Sequence, residues 1–294
     1  MHANIKQKHT MSEQIQDLLD DVEHLISLPA AYVRLNELVE DPTSSADKIA
    51  HVITQDVALT ARLLRVANSP LYGFSTQIDT VSRAVTVLGT QQVRDLALAT
   101  SACKTFDGIP NQLVSMESFW EHSILCALAA RTLAMECLKR QREAVFVAGL
   151  LHDIGQLVLY NLLPDLSRQT LQACHDGPGE LESQDAEREI IGFDHAEVGG
   201  ELAHRWSLPS NLQECIAYHH DPAQAKQNRV ETAIVHIANS IAALAEQDTH
   251  DLNHAPRIQD IAWELTGLDQ DIISPTIASA QAQIGGAREL LLNG

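Results

Sequence analysis

The spacing of apolar residues predicts helices along nearly the whole chain. Between residues 15 and 26, leucine, isoleucine and valine recur at three- and four-residue intervals, which places them on one face of a helix. Similar stretches recur, and several follow a residue that can cap a helix, namely Ser12, Ser45, Asp56, Thr90 and Asp194. No stretch of useful length alternates apolar and polar residues with the period of a strand. The pattern therefore predicts an all-α protein.

Breaks in this pattern suggest how the chain is organised. The segment Asp-Gly-Ile-Pro-Asn at residues 107–111 is the best candidate linker. We therefore predict a flexible N-terminus over 1–11, an N-terminal helical part over 12–106, a helical core over 112–247 and a C-terminal helical extension over 248–294. The last helix is predicted over 270–283, and Gly199-Gly200 is predicted to allow close packing of a helix that begins at His195.

Composition narrows the function classes. The chain has 45% hydrophobic but only 4% aromatic residues, as expected of a core of packed helices. A net charge of -19 argues against a nucleic-acid partner, because phosphate contacts need clustered Lys and Arg. Five scattered cysteines without a Cys-x-x-Cys pair indicate reduced, mostly buried thiols. Without a secretory signal or a segment judged long enough to span a bilayer, we expect a cytoplasmic protein with no membrane partner.

The adjacent His152 and Asp153 carry the most chemical information. They follow an apolar stretch, where two polar side chains are costly to bury without partners. Imidazole nitrogens and carboxylate oxygens are common ligands of divalent transition metals. On a continuous helix the two side chains would diverge by about 100°, so both reach one metal only if the helix ends there. Gly155 is expected to supply the conformational freedom for that break. The alternative is a buried histidine beside an ion-paired aspartate.

Other polar residues could complete such a site, although each has a simpler explanation. His122 alone on an alanine-rich face would be an ordinary core histidine, and His195 an exposed residue of a first helical turn. The pair His219-His220 would repel if both were protonated and would gain from a shared metal, but it could also end an exposed helix. Asn239 lies among apolar residues and needs a partner, which a hydrogen bond to another helix would provide.

Taken in order, these residues resemble the HD superfamily of metal-dependent phosphohydrolases, and more closely the HDOD family of bacterial signalling output domains. Three stretches carry the resemblance: Asp-Val-Ala-Leu-Thr-Ala-Arg-Leu-Leu-Arg-Val-Ala-Asn-Ser-Pro from residue 56 with Leu-Tyr-Gly at 71–73, Ala-Val-Thr-Val-Leu-Gly at 84–89, and Phe-Asp-His-Ala-Glu-Val-Gly at 193–199 with Trp-Ser-Leu-Pro at 206–209. The resemblance spans roughly residues 20 to 245. It implies an HD-like bundle of helices preceded by an N-terminal helical subregion.

The resemblance also implies a ligand set. His122, His152, Asp153 and position 239 would form one metal site. Asp153, the candidate catalytic residue, would bridge to a second site completed by the residues His195, His219 and His220. The ion would be Fe, Mn, Ni or Zn, and two such ions would activate a bridging water.

Two departures from the enzyme pattern weaken the catalytic expectation. Asn239 stands where that pattern has aspartate, and Gln156 stands where many HD enzymes have a lysine that could stabilise phosphate charge. The sequence after His220 also lacks a Gly-Tyr-Pro element. We therefore expect the metal ligands to be retained even though the capacity for phosphoester hydrolysis is reduced.

These features lead to two hypotheses. The first is a stand-alone HDOD regulatory protein, non-catalytic or weakly catalytic, that binds a signalling protein or a small phosphorylated ligand. The second is a metal-dependent phosphohydrolase acting on a nucleotide or cyclic nucleotide. The N-terminal helices, up to about Phe106, are a further candidate for the surface that meets an effector. The sequence leaves the oligomeric state open.

Overall fold

The protein is all-α in the computed structural model, as the apolar spacing predicts. The structure describes residues 10–20, 26–69, 72, 74, 76–106, 113–138, 142–176 and 182–292. Those residues contain no strand, and their helices are α1 (Met11–Asp20), α2 (Ala30–Glu40), α3 (Ala46–Gln55), α4 (Val57–Ala67), α5 (Val81–Leu88), α6 (Thr90–Phe106), α7 (Met116–Cys137), α8 (Arg142–Leu151), α9 (Ile154–Leu162), α10 (Pro164–Asp176), α11 (Ser183–Ile190), α12 (His195–Arg205), α13 (Ser210–Tyr218), α14 (Arg229–Glu246), α15 (Asp260–Thr266) and α16 (Ile273–Leu292).

Short polar side chains set several helix starts in the way the sequence predicts. The Ser45 hydroxyl accepts a hydrogen bond from the backbone N–H of Lys48 at the start of α3, and the Asp56 carboxylate accepts one from Leu59 at the start of α4. Asp194 begins α12 with a reciprocal capping box. Such caps satisfy N–H groups that have no partner within the helix. The first cap is different: Thr10, rather than Ser12, exchanges hydrogen bonds with Glu13 across the first turn of α1.

The long helix α7 lies at the centre of the C-terminal half and packs against α8, α14 and α16. Its residues Ile124–Ala130 are almost completely buried, because small and aliphatic side chains allow neighbours on several sides. Helix α6 is similarly enclosed and packs against α2, α4, α5 and α8. Helix α6 therefore connects the N-terminal helices to α8, which ends directly before His152 and Asp153.

Glycine contacts bring α9, α12 and α13 unusually close. A Cβ atom on Gly155 would lie 1.9 Å from the carbonyl oxygen of His195, and one on Gly200 would lie 2.7 Å from the Cβ of Ala217. One on Gly199 would lie 2.9 Å from the Ile216 side chain. The close packing predicted for Gly199-Gly200 is therefore present. These contacts fix the start of α12 against α9, and the body of α12 against α13.

The C-terminal helix is longer than predicted. It was expected to end near residue 283, before Gly285-Gly286, but α16 continues to Leu292. Packing outweighs the low helix propensity of glycine here, because Ala287 and Leu291 are buried in the core beyond the glycines. The predicted linker at 107–111 lies outside the described residues, as do Pro70, Leu71 and Gly73 of the sequence motif.

One segment, Glu143–Leu162, is long and apolar enough to cross a membrane by length and composition, contrary to the expectation from sequence. In the structure 83% of its most apolar window is buried inside the protein. The segment comprises α8 and α9, which are separated by a turn at residues 152–153. Its apolar character is thus that of two core helices. All five cysteines are free, and Cys103, Cys126 and Cys215 are buried.

Candidate metal centre

A break between two helices positions the His-Asp pair. Helix α8 ends at Leu151 and α9 begins at Ile154, so His152 and Asp153 occupy the turn between them. The prediction that the helix must end here is therefore confirmed, but its expected cause is wrong. Gly155 lies inside α9 without a positive φ angle, and its missing side chain serves the contact with α12 instead.

One group of possible ligands surrounds the first carboxylate oxygen of Asp153. The Nε2 atom of His195 lies 3.2 Å from Asp153 Oδ1, and the Nε2 atom of His219 lies 3.4 Å from the same oxygen. The Nε2 atom of His220 is 2.8 Å from that of His195. One ligand atom from each of these four residues lies within 4.8 Å of all the others. The structure thus brings these predicted ligands together from α12, the end of α13 and the turn after α8.

A second group surrounds the other oxygen of Asp153. His152 Nε2 lies 3.3 Å from Asp153 Oδ2, and His122 Nε2 lies 4.0 Å from it. His122, from α7, also contacts Asn239, from α14, with 3.0 Å between Nε2 and Oδ1. Six of the seven predicted site residues therefore form two groups that share Asp153, and the seventh, Asn239, contacts His122.

Buried atoms without partners supply a test of whether a metal fits. His152 Nε2, His219 Nε2 and Asp153 Oδ1 are inaccessible to solvent and form no hydrogen bond. Such atoms cost free energy unless something satisfies them. All three belong to the two ligand groups: His219 Nε2 lies 3.4 Å from Asp153 Oδ1, and His152 Nε2 lies 3.3 Å from Asp153 Oδ2. The donor set of imidazole nitrogens and one carboxylate suits a divalent transition metal, so the residues present fit a bound ion.

Outer partners orient three of the imidazoles. The Nδ1–H group of His152 donates to the carbonyl of Gly149 over 2.8 Å, which leaves Nε2 with a free lone pair. His219 donates in the same way to Ile216, also over 2.8 Å. His195 Nδ1 lies 2.6 Å from a carboxylate oxygen of Glu187, which is itself only 2% exposed. Partners of this kind fix the ring tautomer and raise the basicity of a metal-binding histidine.

Sequence reasoning did not find the two carboxylates that serve as outer partners. Glu187 lies on α11, eight residues before His195, and the contact arises only because the chain turns back between α11 and α12. Glu246, whose Oε2 is 3.1 Å from His122 Nδ1, left a detectable signal. It follows Asn239 by seven residues on α14, which puts both residues on the same helix face.

The surroundings bias the protonation states within the cluster. Burial lowers the pKa of His152 to about 3, although Asp153 acts in the opposite direction. Burial likewise lowers the pKa of His220 well below its usual range, with neighbouring His219 adding to the effect. For Asp153 burial opposes ionisation, but the adjacent histidines, His152 foremost, hold its pKa well below the usual range. For His195 burial favours the neutral ring, but the carboxylates of Glu187 and Asp153 raise its pKa well above the usual range, so an ion has to displace a proton there. Neutral imidazoles beside an ionised carboxylate are the forms that bind a metal.

The cluster forms the floor of a cleft of about 390 Å³. His122, His195 and His220 line the cleft beside Gln156 and Asn239, and Glu182 and Gln184 contribute to its rim. Gln156 accepts a hydrogen bond of 3.0 Å from the Tyr160 hydroxyl. Among the described residues that line the cleft there is no lysine or arginine. A small molecule could reach the cluster through this opening.

The fold and the site together define a class of protein: an all-α protein with a buried histidine–aspartate cluster that fits divalent metal ions. Residues 25–222 match the HDOD domain family, and this chain belongs to that family. A relative from Treponema pallidum (strain Nichols), an uncharacterised protein, is 26% identical over 220 residues. The match covers 74% of this chain and 41% of that relative, so the chain spans about two-fifths of its length.

Solved structures agree with this assignment. An HDOD domain protein of unknown function from Geobacter sulfurreducens has a TM-score of 0.74 at 25% identity, over 96% of this chain and 99% of that one. A candidate phosphohydrolase from Shewanella amazonensis SB2B has a TM-score of 0.72 at 26% identity, over 93% and 97%. A candidate signal transduction protein from Marinobacter aquaeolei VT8 shares the fold, with a TM-score of 0.71 at 21% identity, over 94% and 61%.

Proposed function

We propose that this protein is a signalling regulator that acts by binding a partner protein or a small phosphorylated ligand, with metal in a mainly structural role. The observation that carries the proposal is the pair of neutral amides at the cleft. Asn239 contacts His122 where a carboxylate would strengthen a metal site, and Gln156 contacts Tyr160 where a cation would stabilise phosphate charge. Partner or ligand binding needs neither of these charges.

The two neutral amides are expected to reduce transition-state stabilisation in hydrolysis, while the folded state does not need the missing charges. Hydrolysis of a phosphoester builds negative charge that metals and cationic side chains must stabilise. Removing a single donor of this kind from an enzyme costs about 3–4 kcal/mol of transition-state stabilisation, or roughly a hundred- to a thousandfold in rate. The buried imidazoles and Asp153 can still hold an ion that links α9, α12 and α13.

A metal-dependent phosphohydrolase is the second candidate. The clustering of the seven ligand-type residues, six of which form the two groups that share Asp153, favours it, as does the likeness to the candidate phosphohydrolase from Shewanella amazonensis SB2B. In that case Asp153 would orient the two metal ions, which would supply an activated water, and His195 would be held in place by Glu187. The substrate would be a nucleotide or a cyclic nucleotide.

A single set of assays separates the two candidates. Wild-type protein loaded with Mn²⁺, Fe²⁺ or Ni²⁺ is incubated with p-nitrophenyl phosphate, nucleotides and cyclic mono- and dinucleotides, beside the Asp153→Ala variant as control. We expect no turnover that depends on Asp153. The same nucleotides are tested for binding by calorimetry. Turnover that disappears in Asp153→Ala would show that the protein is an enzyme and would overturn the regulatory proposal.

A further inference from the structure

We infer that the two ligand groups differ in affinity: Asp153, His195, His219 and His220 take the first divalent ion, and the group built on His122 takes a second ion only weakly. The inference rests on the proposed function in so far as a single buried ion is enough for a structural role. It concerns the order and strength of loading, which the shared family pattern does not determine for this chain.

The first group has enough donors for a closed site, although an ion has to displace the proton shared by His195 Nε2 and His220 Nε2, which lie 2.8 Å apart. Three imidazole nitrogens and one carboxylate oxygen make four ligands, the number that a closed tetrahedral site needs. His195 and His219 are only 1% and 0% exposed, so water competes mainly for the half-buried His220 at the cleft. Their Nδ1 atoms already meet Glu187 and the Ile216 carbonyl, so each ring presents Nε2 to the site.

The second group offers fewer strong donors, namely two imidazoles, the shared carboxylate and a neutral amide. Both ring nitrogens of His122 have oxygen partners, Asn239 Oδ1 at 3.0 Å and Glu246 Oε2 at 3.1 Å. The approach of an ion through Nε2 has to replace the contact with Asn239. The amide of Asn239 carries no charge, so the single carboxylate ligand of this group is Asp153, which is shared with the first ion.

Exposure and charge add to the difference. The His122 side chain is 19% exposed at the cleft, so water competes for this position. A second divalent ion would also be repelled by the first across the shared carboxylate, and this repulsion is stronger in a buried site than in water. The outer position therefore exchanges with solvent, while the inner position retains its ion.

The test is a titration of metal-free, full-length protein with CoCl₂, followed by calorimetry and by the visible absorption of bound Co²⁺. We expect one tight equivalent and a second that binds about 100-fold more weakly, the upper end of the effect of losing one supporting partner of a metal site. The His122→Ala variant should keep the tight equivalent. The His220→Ala variant should weaken it at least about tenfold, and Asn239→Asp should strengthen the second equivalent by at least about tenfold.

Controls and outcomes are as follows. His204 is exposed on α12, so His204→Ala should leave both equivalents unchanged. Circular dichroism checks the fold of each variant, and His122→Ala and Asn239→Asp test the outer position separately if His220→Ala does not fold. Two equivalents of equal affinity in the wild type, loss of the tight one in His122→Ala, or no tight binding at all would overturn the inference. Equal sites without turnover would refute it and leave the regulatory proposal standing, whereas turnover with unequal sites would do the reverse.

Discussion

Replacing Gly155 by alanine tests the contact that joins the metal centre to the fold. The added Cβ would lie 1.9 Å from the backbone oxygen of His195 and 2.7 Å from the backbone nitrogen of Gly199. Both neighbours are backbone atoms, which cannot rotate away as a side chain can. Helices α9 and α12 would have to separate by about 1.5 Å to lengthen the shorter approach to an ordinary contact of 3.4 Å.

The expected cost follows from this separation. Overpacking a core typically costs about 1–3 kcal/mol, and a clash between backbones belongs at the upper end. Alanine returns up to about 1 kcal/mol through its better helix propensity. The Gly155→Ala variant should therefore lose about 2 kcal/mol of unfolding free energy. Because His195 moves with α12, and metal–ligand distances tolerate only about 0.2 Å, the variant should also bind its first Co²⁺ at least about tenfold more weakly.

Urea unfolding of the metal-free protein measures the first effect, and the Co²⁺ titration measures the second. Gly285→Ala is the matched control, because nothing lies within 4 Å of the Cβ that it adds to α16. The unfolding free energy of this control should rise by about 0.5–1 kcal/mol, and the control should bind Co²⁺ as the wild type does. If Gly155→Ala is as stable as Gly285→Ala and binds Co²⁺ equally well, the close approach of α9 and α12 does not position His195.

Three further predictions concern the metal centre. Glu187→Gln retains an acceptor for His195 but loses the charge, so the first Co²⁺ should bind about 10–100-fold more weakly. Glu189→Gln, which is exposed on the same helix, should have no effect. If both variants weaken Co²⁺ binding equally, the cause is a general change in α11 and not the loss of the Glu187 charge. Removing metal with a chelator should lower the melting temperature, since an ion at 100 times its dissociation constant adds about 2.7 kcal/mol of stability; an unchanged melting temperature would exclude a structural ion. Although burial alone would lower the pKa of His122, Glu246 raises it to about 9, so protons compete for this histidine at neutral pH. The weak Co²⁺ equivalent should therefore bind about tenfold more tightly at pH 8 than at pH 7. A constant affinity would count against His122 as its ligand.

The sequence predicted local features of the fold better than features that depend on packing. Caps such as Asp56 act on a backbone N–H three residues away, so a short window of sequence contains both partners. Gly155 was expected to permit the helix break, but it allows the close approach of α12 instead. A glycine can serve either role, and only the position of α12 decides between them. The end of the last helix was predicted too early, since buried residues further along α16 hold that helix together.

The same division explains what could be predicted of the site. The set of seven candidate residues came from the resemblance to the HD superfamily, because His122, His195 and Asn239 each had a simpler explanation when taken alone. The structure brings them together from α7, α12, α14 and the turns after α8 and α13. Glu187 is ordinary in a chain with 39 acidic residues, whereas Glu246 is distinguished only by its seven-residue spacing from Asn239. Their positions nevertheless distinguish the two ligand groups: Glu187 supports His195, which is almost fully buried, whereas Glu246 contacts His122, which is partly exposed. Which histidine each of these carboxylates supports is therefore decided by the packing of α11 against α12 and of α14 against α7, which the sequence alone does not give.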